Sequence, residues 1–470
     1  MTPARRKPIV VDAPAGERLT PTLGWPHLLA LGVGAIVGTG IYTLTGVGAG
    51  MAGPAVVLSF AIAGAVCACA ALAYAEMATM IPAAGSAYTY SYSVLGEIIA
   101  WVVGWSLILE YTVVCAAVAV GWSGYAGGLI RALHWPIPAA LLAGPGAGGV
   151  VNLPAVLISL AVAALLSAGT RESARVNVVL VLVKISALVL FVALALPAFQ
   201  GHRFSPFMPY GFVKHEAAHG AQGVMAAAAI IFFAFYGFDA VSTAAEETKN
   251  PSRDLKIGIV GSMIACTIIY IGVAASALGA VSYTALAASA EPLAQVMRAL
   301  NHPLAASLIA GAAVVALPTV ILAFMYGQSR IFFVMARDNL LPERLARVSA
   351  KTGTPVLVTL LTGVVVAVLA GLLTLKDIAA LANAGTLCAF IAVAACMLVM
   401  RQREPDRPRP FRAPAAWVIG PAAIVGCLYL FTSLEFATIW RFFAWNALGL
   451  VVYVAYARPR SRYAGAPAVA

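Results

Sequence analysis

Apolar residues in this chain come in long uninterrupted blocks, not in the alternation of half-buried strands or the stripes of surface helices. Twelve blocks are long enough to cross a bilayer, which takes ~20 residues for a hydrocarbon layer of ~30 Å. They fall at approximately 27–49, 54–80, 97–130, 152–170, 175–197, 221–247, 257–282, 303–329, 355–374, 377–400, 414–433 and 437–457. Polar residues occupy the intervals between blocks, and the interval at Lys376 is as short as those of tightly connected helix bundles. The pattern predicts an all-α integral membrane fold with twelve transmembrane helices.

Composition agrees. Over 470 residues the chain is 62% hydrophobic and 10% charged, against roughly 45–50% and 25% in soluble domains. A net charge of +11 would by itself suggest nucleic acid. The basic residues, however, lie in short intervals between apolar blocks, and we expect no nucleic-acid partner. An even number of crossings puts both ends on one side. That side holds 22 of the 29 Lys and Arg, the other side holds six, and Lys184 is left inside a block. The excess of positive charge places both termini in the cytoplasm. Residues 1–22 form an N-terminal tail without the apolar core of a cleaved signal peptide, so the first block should stay in the membrane. Residues 401–413 form a stiff basic loop, 414–457 two further helices and 458–470 a C-terminal tail. All seven cysteines fall in apolar blocks and read as small buried hydrophobes.

Two blocks carry breaks. In the first, Gly38-Thr39-Gly40 lies about half-way through, where glycines disfavour helix and lipid penalises loose backbone unless it lines a protected cavity. One reading is a discontinuous helix whose freed amides hold an anionic group such as a carboxylate. The other is close packing of small residues, Gly34 and Gly38. The sixth block breaks at matching depth, in Phe233-Ala234-Phe235-Tyr236-Gly237-Phe238-Asp239. The second break comes five helices after the first, so the halves would have inverted topology. Paired interruptions of this kind point to a transporter's central site. The ten-helix core is expected over 23–400, with one repeat at about 27–197 and the other at about 221–400.

The same residues carry a resemblance. Gly34-Ala-Ile-Val-Gly38-Thr39-Gly40-Ile41 resembles the first-helix signature of the amino acid–polyamine–organocation superfamily. Gly237-Phe-Asp239 continuing to Glu246-Glu247 and Pro251 resembles its sixth helix in the cationic amino acid transporter family. Tyr326-Gly-Gln-Ser-Arg330 with Met335-Ala-Arg-Asp338, and Gly104-Trp105 with Glu110-Tyr111, resemble the family's eighth and third helices. The resemblance implies a secondary amino acid transporter with five-plus-five inverted repeats and two extra helices, in a bacterial inner membrane. It would need no cofactor beyond a proton gradient, and no partner beyond substrate and lipid. The amides of Gly38, Thr39 and Gly40 would bind the substrate carboxylate. The carbonyls of Ile36, Phe233 and Tyr236 would accept from its ammonium, with Gly237 opening the second break. Tyr42 departs from the Phe that relatives often carry. Oligomeric state stays open, as does the choice between neutral and cationic substrates.

Lys184 is the most informative charge. A charge at mid-membrane costs ~2.5 kcal/mol or more on insertion scales, and burial disfavours an ammonium. It is either a structural ammonium held by carbonyls of the first helix or a proton-coupling group, and the resemblance puts a coupling lysine here. Glu110 and Asp239 must likewise be paired, protonated or hydrated. Glu110 is a candidate for the substrate pocket, and Asp239 for the pocket or for an intrahelical anchor. Phe324 is a candidate selectivity residue. Glu246 and Glu247, near Lys249 and Arg253, read as solvated pairs. His215-Glu216-Ala-Ala-His219 satisfies the zincin spacing literally, but it lies in a short loop without a third ligand, so no metal site is expected.

Overall fold

The computed structural model describes residues 5–9, 20–38, 40–132, 135–217, 220–235, 237–289, 291–349, 351–373, 375–434 and 436–463. The chain is mostly helical, at 77%. The first interrupted span is built from α1 (Trp25–Ile36) and α2 (Thr45–Ala52), followed by α3 (Val56–Met80), α4 (Ser86–Val94) and α5 (Glu97–Ala132). Then come α6 (Leu153–Ala168) and α7 (Thr170–Ala195), the second interrupted span α8 (Val224–Ile231) and α9 (Phe238–Thr243), and α10 (Pro251–Ala280). After the short α11 (Tyr283–Ala287) and α12 (Pro292–Ala299) follow α13 (Pro303–Ala316), α14 (Pro318–Arg337), α15 (Val356–Leu372) and α16 (Leu375–Arg403). The chain closes with α17 (Ala416–Thr432), α18 (Phe436–Val452) and the single turn α19 (Arg458–Arg460).

Among the described residues, eight helical stretches are long and apolar enough to cross a membrane, the first of them running from Trp25 to Met80. Three shorter apolar helices, α6, α15 and α17, have 16, 17 and 17 residues. Their rise of about 24–26 Å falls just short of the hydrocarbon thickness. Every one of these stretches lies on an apolar block of the sequence. Large side chains such as Leu182, Ile268, Val364 and Trp440 stay exposed on the outer helix faces, where lipid, not water, is the natural contact.

Four features depart from the sequence reading. A small antiparallel hairpin, β1 (His215–Ala217) with β2 (Gly220–Gln222), breaks the all-α expectation. Only Gly169 separates α6 from α7, at φ 138°, so Arg171 and Arg175 belong to a helix and not to a loop. The helices α11 and α12 fill an interval that carried no apolar block. Finally, α4 is entirely buried although its sequence is Ser-Ala-Tyr-Thr-Tyr-Ser-Tyr-Ser-Val. Hydropathy finds helices that face lipid and passes over one that faces only protein.

Helix α1 packs on α7, α9, α10 and α14, and α10 packs in turn on α3. The ends of the chain meet: the Arg5 guanidinium donates to the carbonyl of Arg458 at 3.1 Å.

Candidate functional site

The two interruptions touch. Helix α1 stops at Ile36, and Val37 is extended at ψ 96°. The chain resumes as a π-helical turn at Gly40–Leu44. Opposite, α8 tightens into a 3-10 turn over Phe232–Ala234, and Gly237 takes φ 121° before α9 begins. That angle suits glycine alone among the residues available here. A side chain on Gly237 would also meet the Ala35 Cβ at 2.7 Å and the Ile36 nitrogen at 3.1 Å, and one on Gly40 would run into the backbone of Ala234. A side chain on Gly38 would meet the Val320 Cγ2 of α14 at 2.5 Å. Thr39 and Tyr236 lie outside the described residues. Gly38, Gly40, Ile36 and Gly237 are thus brought together, with Phe233 half-buried in the same turn. The Ile36 carbonyl has a partner the sequence did not suggest, accepting from the Tyr270 hydroxyl of α10 at 2.6 Å.

Lys184 reaches the open end of α1. Its ammonium donates to the carbonyls of Gly34 at 2.8 Å and Val37 at 2.5 Å, and to the Thr319 hydroxyl of α14 at 2.6 Å. The side chain is fully buried. Three donors meet three neutral acceptors, so one ammonium ties α7, α1 and α14 at the break. Thr319 escaped the sequence reading. The signal that could have marked it is its place just after Pro318, where α13 gives way to α14.

The two carboxylates separate in role. Asp239 sits in the first turn of α9, where one oxygen accepts from the Gly237 amide at 3.0 Å and the other from the Tyr111 hydroxyl. It therefore caps the second break locally. Glu110 accepts from the Thr386 hydroxyl of α16 at 2.5 Å. Its other oxygen, the Tyr74 hydroxyl and the Asn383 amide oxygen are buried without a hydrogen-bond partner. Such groups normally hold water or ligand. Phe324 stands edge-on to Tyr111, with centroids 5.1 Å apart. Tyr74 and Phe238 both pack on Phe390, at 5.4 and 5.0 Å.

Three sequence expectations need correction. Glu247 is not solvated: it and Arg330 are each 1% exposed and paired at 2.7 Å, and Tyr326 also donates to Glu247. Glu246 is held by Arg337 at 2.7 and 3.0 Å and by the Ala84 amide at 3.1 Å. Sequence proximity suggested Lys249 and Arg253 as partners, whereas the real ones come from α14. Cys69 and Cys388 are only half-buried. His215 and Glu216 lie on a strand and not on the helix that zincin chemistry needs, and His219 lies outside the described residues.

Residues 23–455 match the model of a family described as amino acid permease. The chain is 43% identical over 465 residues to a branched-chain amino acid permease of Bacillus subtilis (strain 168), covering 97% of this chain and 98% of that one. It is 40% identical over 462 residues to a methylthioribose transporter of the same organism, with the same shares covered. To a vacuolar cationic amino acid transporter of Arabidopsis thaliana it is 37% identical over 397 residues, covering 83% of this chain and 65% of the relative. By name these relatives are transporters and not enzymes. Apolar helices throughout, two of them broken where they meet, suit that company. With the match running over nearly the whole length, the chain belongs to the amino acid permease family.

Proposed function

We propose that this protein imports L-amino acids across the cytoplasmic membrane by alternating access, coupled to proton symport. The carrying observation is the pair of facing breaks between α1 and α2 and between α8 and α9. At such a place helix N-termini offer amides to an anion, and interrupted helix ends offer carbonyls to a cation. An α-amino acid presents both groups. In this reading the amides of Gly38, Thr39 and Gly40 take the carboxylate, and the carbonyls of Ile36, Phe233 and Tyr236 take the ammonium. Gly237 keeps the second break open. Glu110, Asp239 and Phe324 stand around the side-chain end.

The reading takes twelve spans, with Trp25–Met80 supplying two and the three shorter apolar helices one each. Ten form the inverted repeats over 23–400, and α17 and α18 lie outside them. The end carrying both termini faces the cytoplasm, as the excess of Lys and Arg on that side favours.

Proton coupling is assigned to Lys184. While charged, it clamps the open end of α1 to α7 and α14. Once its proton leaves, the clamp loses its charge-assisted hydrogen bonds and inward opening becomes easier. Substrate drives the cycle only through different affinities for the two states. A second reading, exchange without proton coupling, draws on the same geometry, since an ammonium with three good acceptors can serve as a permanent brace.

The test is a thermal-shift panel of the twenty amino acids and methylthioribose on purified protein, followed by uptake into proteoliposomes. We expect stabilisation by a subset of amino acids, and uptake that rises under an inward proton gradient. Stabilisation by methylthioribose alone would overturn the substrate class. Uptake indifferent to the gradient would replace symport with exchange.

A further inference from the structure

Two buried carboxylates at the terminal end of the bundle have no part in the transport reading. Asp338, the first residue past α14, is 1% exposed. It receives the Lys7 ammonium on both oxygens at 2.7 Å and the Tyr88 hydroxyl of α4 at 2.9 Å. Its carbonyl accepts from the Arg462 amide at 3.1 Å. Glu97, at the start of α5, is 3% exposed. It receives the hydroxyls of Tyr92 and Tyr453, each at 2.7 Å, the Ser461 hydroxyl at 2.5 Å and the Arg5 guanidinium at 3.5 Å. Arg5 and Lys7 also join the backbone here: the Glu97 amide donates to the Arg5 carbonyl at 2.9 Å, and the Lys7 amide to that of Tyr92 at 3.3 Å. One short segment from the start of the chain therefore bridges α4, α5 and the end of α14, with the C-terminal residues closing over the same two carboxylates.

The position gives the contact its meaning. The last two turns of α14 carry Arg330 and Arg337, which hold Glu247 and Glu246 at the end of α9. Thr22 and Leu23 donate their amides to the Glu247 carbonyl at 2.9 Å, so the start of α1 is zipped to the same place. An opening at this end that moves α14 away from α4 or from the α1–α9 ends has to break these contacts. Parting α14 from α4 exposes Asp338 and breaks its bonds to Lys7 and Tyr88. Residues 5–7 therefore act at Asp338.

We propose that residues 5–7, locked by the C-terminal residues 458–463, form a latch that holds the end of α14 against α4 and biases the transporter toward its inward-closed state. The proposal rests on the alternating-access reading given above. Removing Lys7 takes from Asp338 the ammonium that meets both of its oxygens, which weakens the closed state and not the open one.

The experiment uses the full chain with its seven native cysteines replaced by alanine and Thr243→Cys introduced. Thr243 ends α9 and is fully buried. Inside-out vesicles are treated with a membrane-impermeant maleimide. We expect Lys7→Ala to raise the labelling rate about tenfold through a population shift, Lys7→Arg to restore the parent rate, and Asp338→Asn to match Lys7→Ala without adding to it in the double variant. Should Asp338→Asn not fold, the two Lys7 variants still decide. Glu247→Gln, which breaks the neighbouring pair directly, is the positive control. If it raises labelling and Lys7→Ala does not, the latch is wrong and alternating access stands. If neither variant is labelled, with or without amino acid, both are overturned.

Discussion

The proposed function places most weight on Lys184 and Gly40, and each makes a separate prediction. The Lys184 ammonium meets the carbonyls of Gly34 and Val37 and the hydroxyl of Thr319. Lys184→Arg keeps the charge, but a guanidinium does not give up its proton in this range. We expect that variant to bind substrate and to fail in gradient-driven accumulation, while counterflow exchange survives. Accumulation by the arginine variant in proteoliposomes would remove Lys184 from the coupling. Gly40→Val places a branched side chain against the Ala234 backbone and should abolish the thermal shift given by substrate. An unchanged shift would end the broken-helix model of the first span. Both residues are legible in the sequence because each violates the rule for its surroundings, a charge among valines and leucines or glycines at mid-membrane. Thr319, Tyr270 and Thr386 are not legible. A hydroxyl inside a helix violates no rule, and only the facing helix gives it a role.

Among the elements, α4 and the seam between α9 and α14 were furthest from the sequence reading. The seam holds one fully buried ion pair, Glu247 with Arg330, and the guanidinium also lies over the Tyr326 ring at 3.8 Å. Breaking a buried pair from one side leaves a charge without compensation and costs about 3–5 kcal/mol, whereas replacing both partners with apolar groups is far milder. We therefore expect Glu247→Gln to lower the thermal unfolding temperature clearly, and the double variant Glu247→Gln with Arg330→Met to recover much of the loss. Additive losses in that cycle would mean that the two side chains do not act as a pair. By contrast, α3, α5, α7, α10 and α16 lie where the apolar blocks put them, and each is long enough to cross a bilayer.

For the whole molecule, the meeting of Arg5 with Arg458 puts both ends at one face of the bundle, as an even number of crossings requires. Sidedness is a separate matter, for which the proposal relies on the excess of Lys and Arg at that face. In a background without native cysteines, Asp406→Cys in the basic loop should react with an impermeant maleimide only in inside-out vesicles. His202→Cys, in the opposite interval, should react only in intact cells. The reverse pattern would invert the topology and the direction of the proposed import. That basic loop is also folded more firmly than its proline-rich sequence suggests. Arg401 and Arg409 both reach the buried Glu76 of α3, at 2.6 and 3.3 Å, which anchors the link between α16 and α17.

The sequence by itself determined the membrane class, the placement of the apolar helices, the two breaks and the presence of one unexplained ammonium. Each of these is a local violation or fulfilment of what a bilayer demands, so each can be read from neighbouring residues. Tertiary structure alone decided the partners: Thr319 for Lys184, Tyr111 for Asp239, Thr386 for Glu110, Arg330 for Glu247 and Lys7 for Asp338. Those pairings join residues far apart in the chain. A buried polar group takes whichever partner packing brings within hydrogen-bond distance, and helix packing is set by the whole bundle.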